Sequence, residues 1–446
     1  MAKRVHTRLP GASAGERDPI GIAASDIVPV APPLRASRLI AVRAAVGRAF
    51  INRNYALFMA GAFVSATGSW AQSVALGWLV LELGDSEFLL GLTNFAQMVP
   101  LLLLSIPAGA LVDRFSHKRL LLVAQTGTML SSAVLATATI LGVRSIPLIL
   151  ITAVTSGLFN AIGWPTWSVF IHDLVGPAHL RSAVALNSAR FNLTRVIGPA
   201  VAGVLLASYG AGVCLAIAAV SALGVIGAVL AIRLPPFEPG PARPWLASLQ
   251  EGLRYCWNAA PVRRLLLVTA AVGFLAMPYQ TFLPAFARDV LGRGPQALGL
   301  LLTSVGLGAI MGAALSGSRL AARRVQSTMM ALMVGAGLSL VVLSFSRRLE
   351  LSMLTLAVTG LSSIGYLAMA NATLQLTCPQ ALLGRVMGVW TVVNAGMTPV
   401  GSLTIGAVAE QLGLTTALAG AGTLCALLAI TVGWRGRRRL NSLPPA

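Results

Sequence analysis

Residues 88–119 read FLLGLTNFAQMVPLLLLSIPAGALVDRFSHKR. Residues 88–112 carry no charge, and Asp113, Arg114, His117, Lys118 and Arg119 then follow within seven positions. A helix needs about 20 apolar residues to cross a hydrocarbon core about 30 Å thick, so the first part is long enough to span a bilayer. The basic part belongs in the water beside it.

The same pattern recurs along the chain. Apolar stretches lie at 54–81, 88–112, 120–143, 145–171, 182–208 and 211–232, and again at 265–287, 295–318, 327–346, 351–376, 386–409 and 412–434, all uncharged except 182–208, which carries two arginines. The expected fold is an all-α membrane protein with twelve transmembrane helices in two six-helix bundles. Composition agrees: 56% of the 446 residues are hydrophobic and 10% are charged, against roughly 25% charged in soluble domains. Mean hydropathy is +0.80. The net charge of +20 is dispersed as short clusters between apolar runs, without the continuous basic face that would point to nucleic acid.

Two lysines, Lys3 and Lys118, stand outside any GxxxxGK[ST] setting, which excludes an ATP-binding phosphate loop. Cys214, Cys256, Cys378 and Cys425 are far apart, with no CxxC pair and no histidine at ligand spacing, so they read as packing residues. No metal or other cofactor is expected. Residues 1–49 are rich in Pro, Ala and Arg, lack the apolar core of a signal peptide, and read as a disordered cytoplasmic tail.

Basic residues set the orientation. With both termini cytoplasmic, the inside segments hold 26 Lys and Arg, and the outside loops hold only Arg144, Arg288, Arg293, Arg347 and Arg348. That asymmetry is what an even number of spans with cytoplasmic ends produces. The expected organisation is therefore a tail (1–49), an N-terminal bundle (50–233), a cytoplasmic linker (234–263), a C-terminal bundle (264–436) and a cytoplasmic tail (437–446). The linker opens on LPPFEPGPARP, which no helix can contain. Behind it, Leu246, Leu249, Leu253 and Trp257 recur at helical spacing opposite Gln250, Glu251 and Arg254. This amphipathic helix reads equally well as interfacial or as a soluble connector.

The halves echo each other at an offset near 200 residues. Gly109 to Arg119 answers Gly317 to Arg324, Pro199 answers Pro399, and Ser156-Gly-Leu answers Thr359-Gly-Leu. Internal repeats of this kind put a substrate site at their interface.

At these residues a family resemblance becomes specific. Gly109, Asp113, Arg114, Lys118 and Arg119 stand in register with the major facilitator superfamily signature after the second helix, with Ser116 where a glycine is usual. The resemblance implies that Asp113 latches against the eleventh helix in the outward-open state. Arg195-Val-Ile-Gly198-Pro199-Ala-Val-Ala-Gly203 resembles the Gly-Pro-rich fifth-helix motif of the superfamily's antiporters. The fourth helix lacks the arginine that many proton-coupled drug exporters carry there. Trp164-Pro-Thr-Trp167, Ala185-Leu-Asn187-Ser and Leu283-Pro-Ala-Phe-Ala-Arg288-Asp289 resemble the branch of macrolide efflux proteins and enterobactin exporters. Proton coupling, a bacterial inner-membrane location and a monomeric state are what the resemblance implies.

A charge inside a membrane helix costs about 2.5–3.5 kcal/mol or more unless it meets water or a partner. Two arginines lie inside the fifth span. At 1.5 Å per residue, Arg195 is roughly 20 Å deep and Arg190 about 12 Å deep. By this reading no Asp or Glu lies within any span. Arg195 is thus a candidate for drawing an anionic or carboxylate-bearing substrate into the central cavity, or for capping carbonyls freed by the Pro199 bend. Asn187, Asn192, Trp164 and Trp167 are further cavity candidates, with girdle and packing roles equally open. His172 and Asp173 read as loop anchors rather than a proton relay. The expected function is an exporter of small amphipathic molecules, drug-like or siderophore-like, moving by alternating access. An importer stays open, since sequence gives no direction. An integral-membrane enzyme would need clustered His, Asp or Glu, and a passive channel would need recurring charge rings.

Overall fold

Inside lipid every backbone N–H and C=O must find its partner within the chain, and this chain does so by helix. A computed structural model describes residues 53–234, 245–318, 321, 324–380 and 382–441, and among them there is no strand. The helices are α1 (Arg53–Gly84), α2 (Glu87–Arg114), α3 (His117–Ile140), α4 (Ile146–Ala231), α5 (Trp245–Asn258), α6 (Ala260–Leu275) and α7 (Tyr279–Ala285). There follow a π-helical turn (Phe286–Val290), α8 (Pro295–Ser316), α9 (Val325–Phe345), α10 (Leu349–Thr377), α11 (Leu383–Leu412) and α12 (Leu414–Asn441). By length and composition, nine helical stretches of the described residues can cross a membrane, with α4 counted once.

The 86 residues of α4 are three legs. Gly176 (φ 66°) and Gly210 (φ 77°) interrupt the helical backbone, each in a conformation that a side chain would strain. Contacts give the directions. Tyr55 donates to the Ala183 carbonyl at 2.8 Å, and Trp70 lies against Gly198, so the second leg runs parallel to α1. Gly224 lies against Gly61 and Ser221 against Gly68, so the third leg runs antiparallel to α1. Ser131 bonds the Thr152 carbonyl and Phe159 covers Gly127, so the first leg runs antiparallel to α3. The apolar pattern predicts loops at 172–181 and 209–210. Instead a single glycine makes each reversal, with Pro177 starting the second leg where its missing N–H costs nothing.

The seventh predicted span is also divided. It breaks between α6 and α7 around Ala276 to Pro278 and then widens into the π-turn. A proline ring at 278 cannot continue the ladder above it. The helices also outrun their apolar stretches, which brings Glu82, Glu87, Asp113 and Glu410 inside helices, whereas the apolar stretches themselves hold no carboxylate. Caps rather than hydropathy set these ends: the Ser86 hydroxyl accepts from Leu89 N–H and starts α2 before the first apolar residue.

Packing falls into two groups, α1 to α4 and α6 to α12, joined along two seams: α2 on α11, and the second leg of α4 on α8. Small residues set both. A Cβ on Gly91 would lie 2.4 Å from the Ser402 carbonyl oxygen, and one on Gly299 would lie 2.6 Å from that of Pro199. Within the second group, Gly308 presses equally hard on Ala357 of α10. In lipid such close approach is itself the source of helix association. A smaller cluster around Tyr55, Phe58, Leu121, Phe170 and Val225 holds one end of the first group.

Gly308→Val is expected to destabilise the folded protein by about 1–3 kcal/mol through overpacking. Gly227→Ala, whose added Cβ meets nothing within 4 Å, is expected to leave the protein at least as stable as the parent. Thermal unfolding in detergent, compared between the two variants, checks this.

Candidate functional site

Close contacts along α2 and α11 hold at one end of the molecule and lapse at the other. At the end carrying Glu87, Glu410 of α11 accepts from the Ser86 hydroxyl at 2.7 Å and from Phe88 N–H at 3.3 Å. Arg288, within the π-turn, holds Asp289 at 2.6 Å, donates to the Leu81 carbonyl at 3.1 Å and pairs with Asp85. It thus straps the α1–α2 turn to the second group of helices. Gly91, Gly203 and Gly406 are all in tight backbone contact across the seams here. At the opposite end, a Cβ on Gly109, Gly384 or Gly388 would meet nothing within 4 Å. Along α2 and α11, the tight glycine contacts thus gather toward the Glu87 end and lapse toward Asp113.

Of the cavity candidates, Arg190, Asn187 and Trp167 come together. The Arg190 guanidinium donates to the Ala62 carbonyl at 3.0 Å and to Asn187 Oδ1 at 3.1 Å, and lies 5.4 Å from the centre of the Trp167 ring. Its Nε is buried without a hydrogen-bond partner. Trp167 in turn packs on Phe58 at 4.7 Å between centroids. A carbonyl and a π-face thus stabilise this charge inside the bundle, in place of a carboxylate. Trp164 is 58% exposed and takes no part. Asn192 is turned back on its own helix, bonding the Ser188 carbonyl at 2.9 Å.

Arg195 lies about one and a half turns beyond Arg190, on the seam itself. Gly306 of α8 approaches so closely that an added Cβ would sit 2.7 Å from the Arg195 carbonyl. Among the described residues its side chain forms no ion pair. Gly198, Pro199 and Gly203 continue the same face: Gly198 meets Trp70 of α1, while Pro199 and Gly203 meet Gly299 of α8. The motif is thus the surface on which the two groups touch.

The signature after α2 is partly structural. Lys118 donates to the Leu230 and Ile232 carbonyls at 3.1 and 2.6 Å, capping the third leg of α4 with a cation at the negative end of its dipole. His117 reaches Asp173 at 2.6 Å and the Val112 carbonyl at 3.1 Å, so Asp173 anchors α3 to the first leg of α4. Asp113, Arg114 and Arg119 are exposed, and Asp113 has no ion-pair partner among the described residues. The counterpart stretch at 317–324 falls largely outside the described residues. Beyond the linker's opening, α5 docks on α11 through Glu251 and Arg385 at 2.6 Å. Leu253 and Trp257 are exposed, and the Leu246 and Leu249 side chains lie outside the described set. Sequence reading missed Glu410, Arg288 and Asp85, because a lone charge at a helix end looks like any loop anchor until its partner across the seam is known.

Two groups of apolar helices meeting along small-residue seams are the architecture of a major facilitator transporter. Solved structures share that fold. The nucleoside transporter NupG superposes with a TM-score of 0.71 at 13% identity, covering 85% of this chain and 99% of that one. A bacterial homologue of the lysosomal transporter Spinster, in an inward-facing and unoccupied conformation, gives 0.67 at 14% identity, covering 88% and 99%. Residues 49–441 match the family described as transmembrane secretion effector, and the chain belongs to that branch of the major facilitator superfamily. It is 30% identical to the multidrug efflux pump Tap of Mycolicibacterium fortuitum over 80% of this chain and 90% of that protein. It is 26% identical to the enterobactin exporter EntS of Citrobacter koseri over 87% and 94%. The chain is a multi-pass membrane transporter and not an enzyme.

Lys118→Met removes a helix cap and two bonds. It is expected to lower stability by about 0.5–2 kcal/mol, read as a lower thermal midpoint in detergent, while Arg119→Met leaves the midpoint in place.

Proposed function

We propose that this protein exports small amphipathic molecules, drug-like or siderophore-like, from the cytoplasm by alternating access in exchange for protons. In this reading α1, α2, α3, the three legs of α4, α6 with α7, and α8 to α12 make twelve crossings. They form bundles at 50–233 and 264–436, joined by the linker at 234–263. Both termini face the cytoplasm, because the basic residues gather at the Asp113 end and only five lie in the loops of the Glu87 end. The plasma membrane of a bacterium is the setting, and the chain works as a monomer.

The observation that supports the reading is that tight contacts between α2 and α11 gather at the Glu87 end and lapse at Gly109, Gly384 and Gly388. A crevice open toward the cytoplasm is where an exporter loads. Direction is supported by the names of the relatives, an efflux pump and an exporter. Inside the crevice wall, Arg190 and Arg195 supply positive charge, and Trp167 with Phe58 supplies aromatic surface. That pairing suits a molecule with an apolar body and a carboxylate or phenolate. Arg190 is already held by a carbonyl and Asn187, so Arg195 is the charge left to meet a substrate.

Uptake of labelled candidate substrates into inverted membrane vesicles tests direction and coupling together. An interior-acid gradient is expected to drive uptake, and its collapse by an ionophore is expected to stop it. Uptake indifferent to the gradient would remove proton exchange. Arg195→Ala is expected to lower uptake of an anionic substrate at least tenfold while the protein stays folded. Wild-type uptake by that variant would remove the assignment.

A further inference from the structure

The α2–α11 seam has a property that the transport reading does not use. The two helices run antiparallel, so each end of the seam brings the N-terminus of one helix beside the C-terminus of the other. At the Glu87 end, the C-terminal part is α11, which ends at Leu412, and Glu410 lies in its last turn. A carboxylate there is disfavoured by the negative end of its own helix. It finds its partners on the neighbour: the Ser86 hydroxyl at 2.7 Å and Phe88 N–H at 3.3 Å, both at the N-terminus of α2. Ser86 is the α2 cap, accepting from Leu89 N–H at 3.2 Å. Glu410 therefore extends that cap across the boundary between the two groups of helices.

The opposite end carries the same elements, unconnected. Asp113 lies in the last turn of α2, which ends at Arg114, and is exposed. The N-terminus of α11 begins after Leu382 without any side-chain cap. A Cβ on Gly384 or Gly388, in the first two turns of α11, would meet nothing within 4 Å. An unfavourably placed carboxylate and an uncapped helix start thus face the same opening.

We infer that Glu410 is the outer latch of this transporter, a positioning residue whose carboxylate caps α2 and holds the outer end shut, opposed by Asp113 acting on α11 at the inner end. This rests on the alternating-access reading above. The two carboxylates cannot both reach their helix starts, because closing one end of an antiparallel pair parts the other. Each latch sets a carboxylate from the last turn of one helix against the start of the other, so the two closures are alike in chemistry. A near-balanced pair is what an exporter needs in order to populate both states. The strap of Arg288 to Asp85 and Asp289 adds a second tie at the outer end. Loss of Glu410 alone should therefore shift the balance and not abolish the closed form.

Spin-label distances in the full-length protein test this. One pair, Ile140 with Phe345, is exposed at the outer end on either side of the boundary. The other, Arg181 with Ser327, is exposed at the inner end. Both go into a background with the four cysteines replaced and transport retained. Glu410→Gln keeps size and removes charge, and is expected to move the ratio of inward-open to outward-open forms about fivefold toward outward-open, the scale of one charge at a helix end with its hydrogen bonds. Ser86→Ala should move it the same way by less. Asp113→Asn should move it oppositely, and the double variant should return it to within about twofold of wild type, since opposing terms at distant sites add. A merely structural Glu410 would lower the thermal midpoint and gain nothing from Asp113→Asn. Two distances in the wild type left unmoved by Glu410→Gln would overturn the latch alone. A single distance at each end under every condition would remove alternating access and the latch with it.

Discussion

In hydrocarbon, a helix cannot gain from hiding apolar surface, because the lipid is as apolar as the neighbour it would hide against. What binds these helices is therefore contact at van der Waals range and the few polar bonds that lipid cannot replace. Glycine against carbonyl along α2 with α11, and along the second leg of α4 with α8, is that contact here. Every other feature of the molecule follows from where those lines of contact persist and where they lapse. They persist at the end guarded by Glu410 and Arg288, and lapse toward Asp113.

Charge inside the bundle obeys the same constraint by a different route. Arg190 is kept among apolar neighbours by a carbonyl of α1, the amide of Asn187 and the face of Trp167. These partners are neutral, so the charge is solvated without being cancelled. Arg195, five residues further on, stands where the second leg of α4 bears on Gly306 of α8. One helix thus carries both buried charges and the contact surface between the two groups.

Much of this is legible in the amino-acid sequence alone. Uncharged runs locate the helices, basic clusters locate their ends, and the Gly-Pro-rich run 195–203 marks a contact helix. What the sequence hides, it hides for physical reasons. Breaks at 172–181 and 209–210 are legible, but that Gly176 and Gly210 each reverse the chain in one residue, with helix running up to both sides, is a matter of backbone angle that no hydropathy pattern reports. The division between α6 and α7 depends on one proline ring in an otherwise apolar run. Glu410 gains its meaning only from Ser86, 324 residues away, and no periodicity reports such a pair. Trp164 and Trp167 look equivalent in sequence, and residues three apart share a side of a helix, yet Trp164 is exposed while Trp167 lies under Arg190.

The one-residue reversals inside α4 have a mechanical consequence. A linker of several residues would let neighbouring rods drift apart at their ends, whereas an elbow of one glycine keeps the end of each rod within a residue of the start of the next. The three rods are thereby held as one stack, and it is the packing along their lengths, not the elbows, that fixes the angles between them.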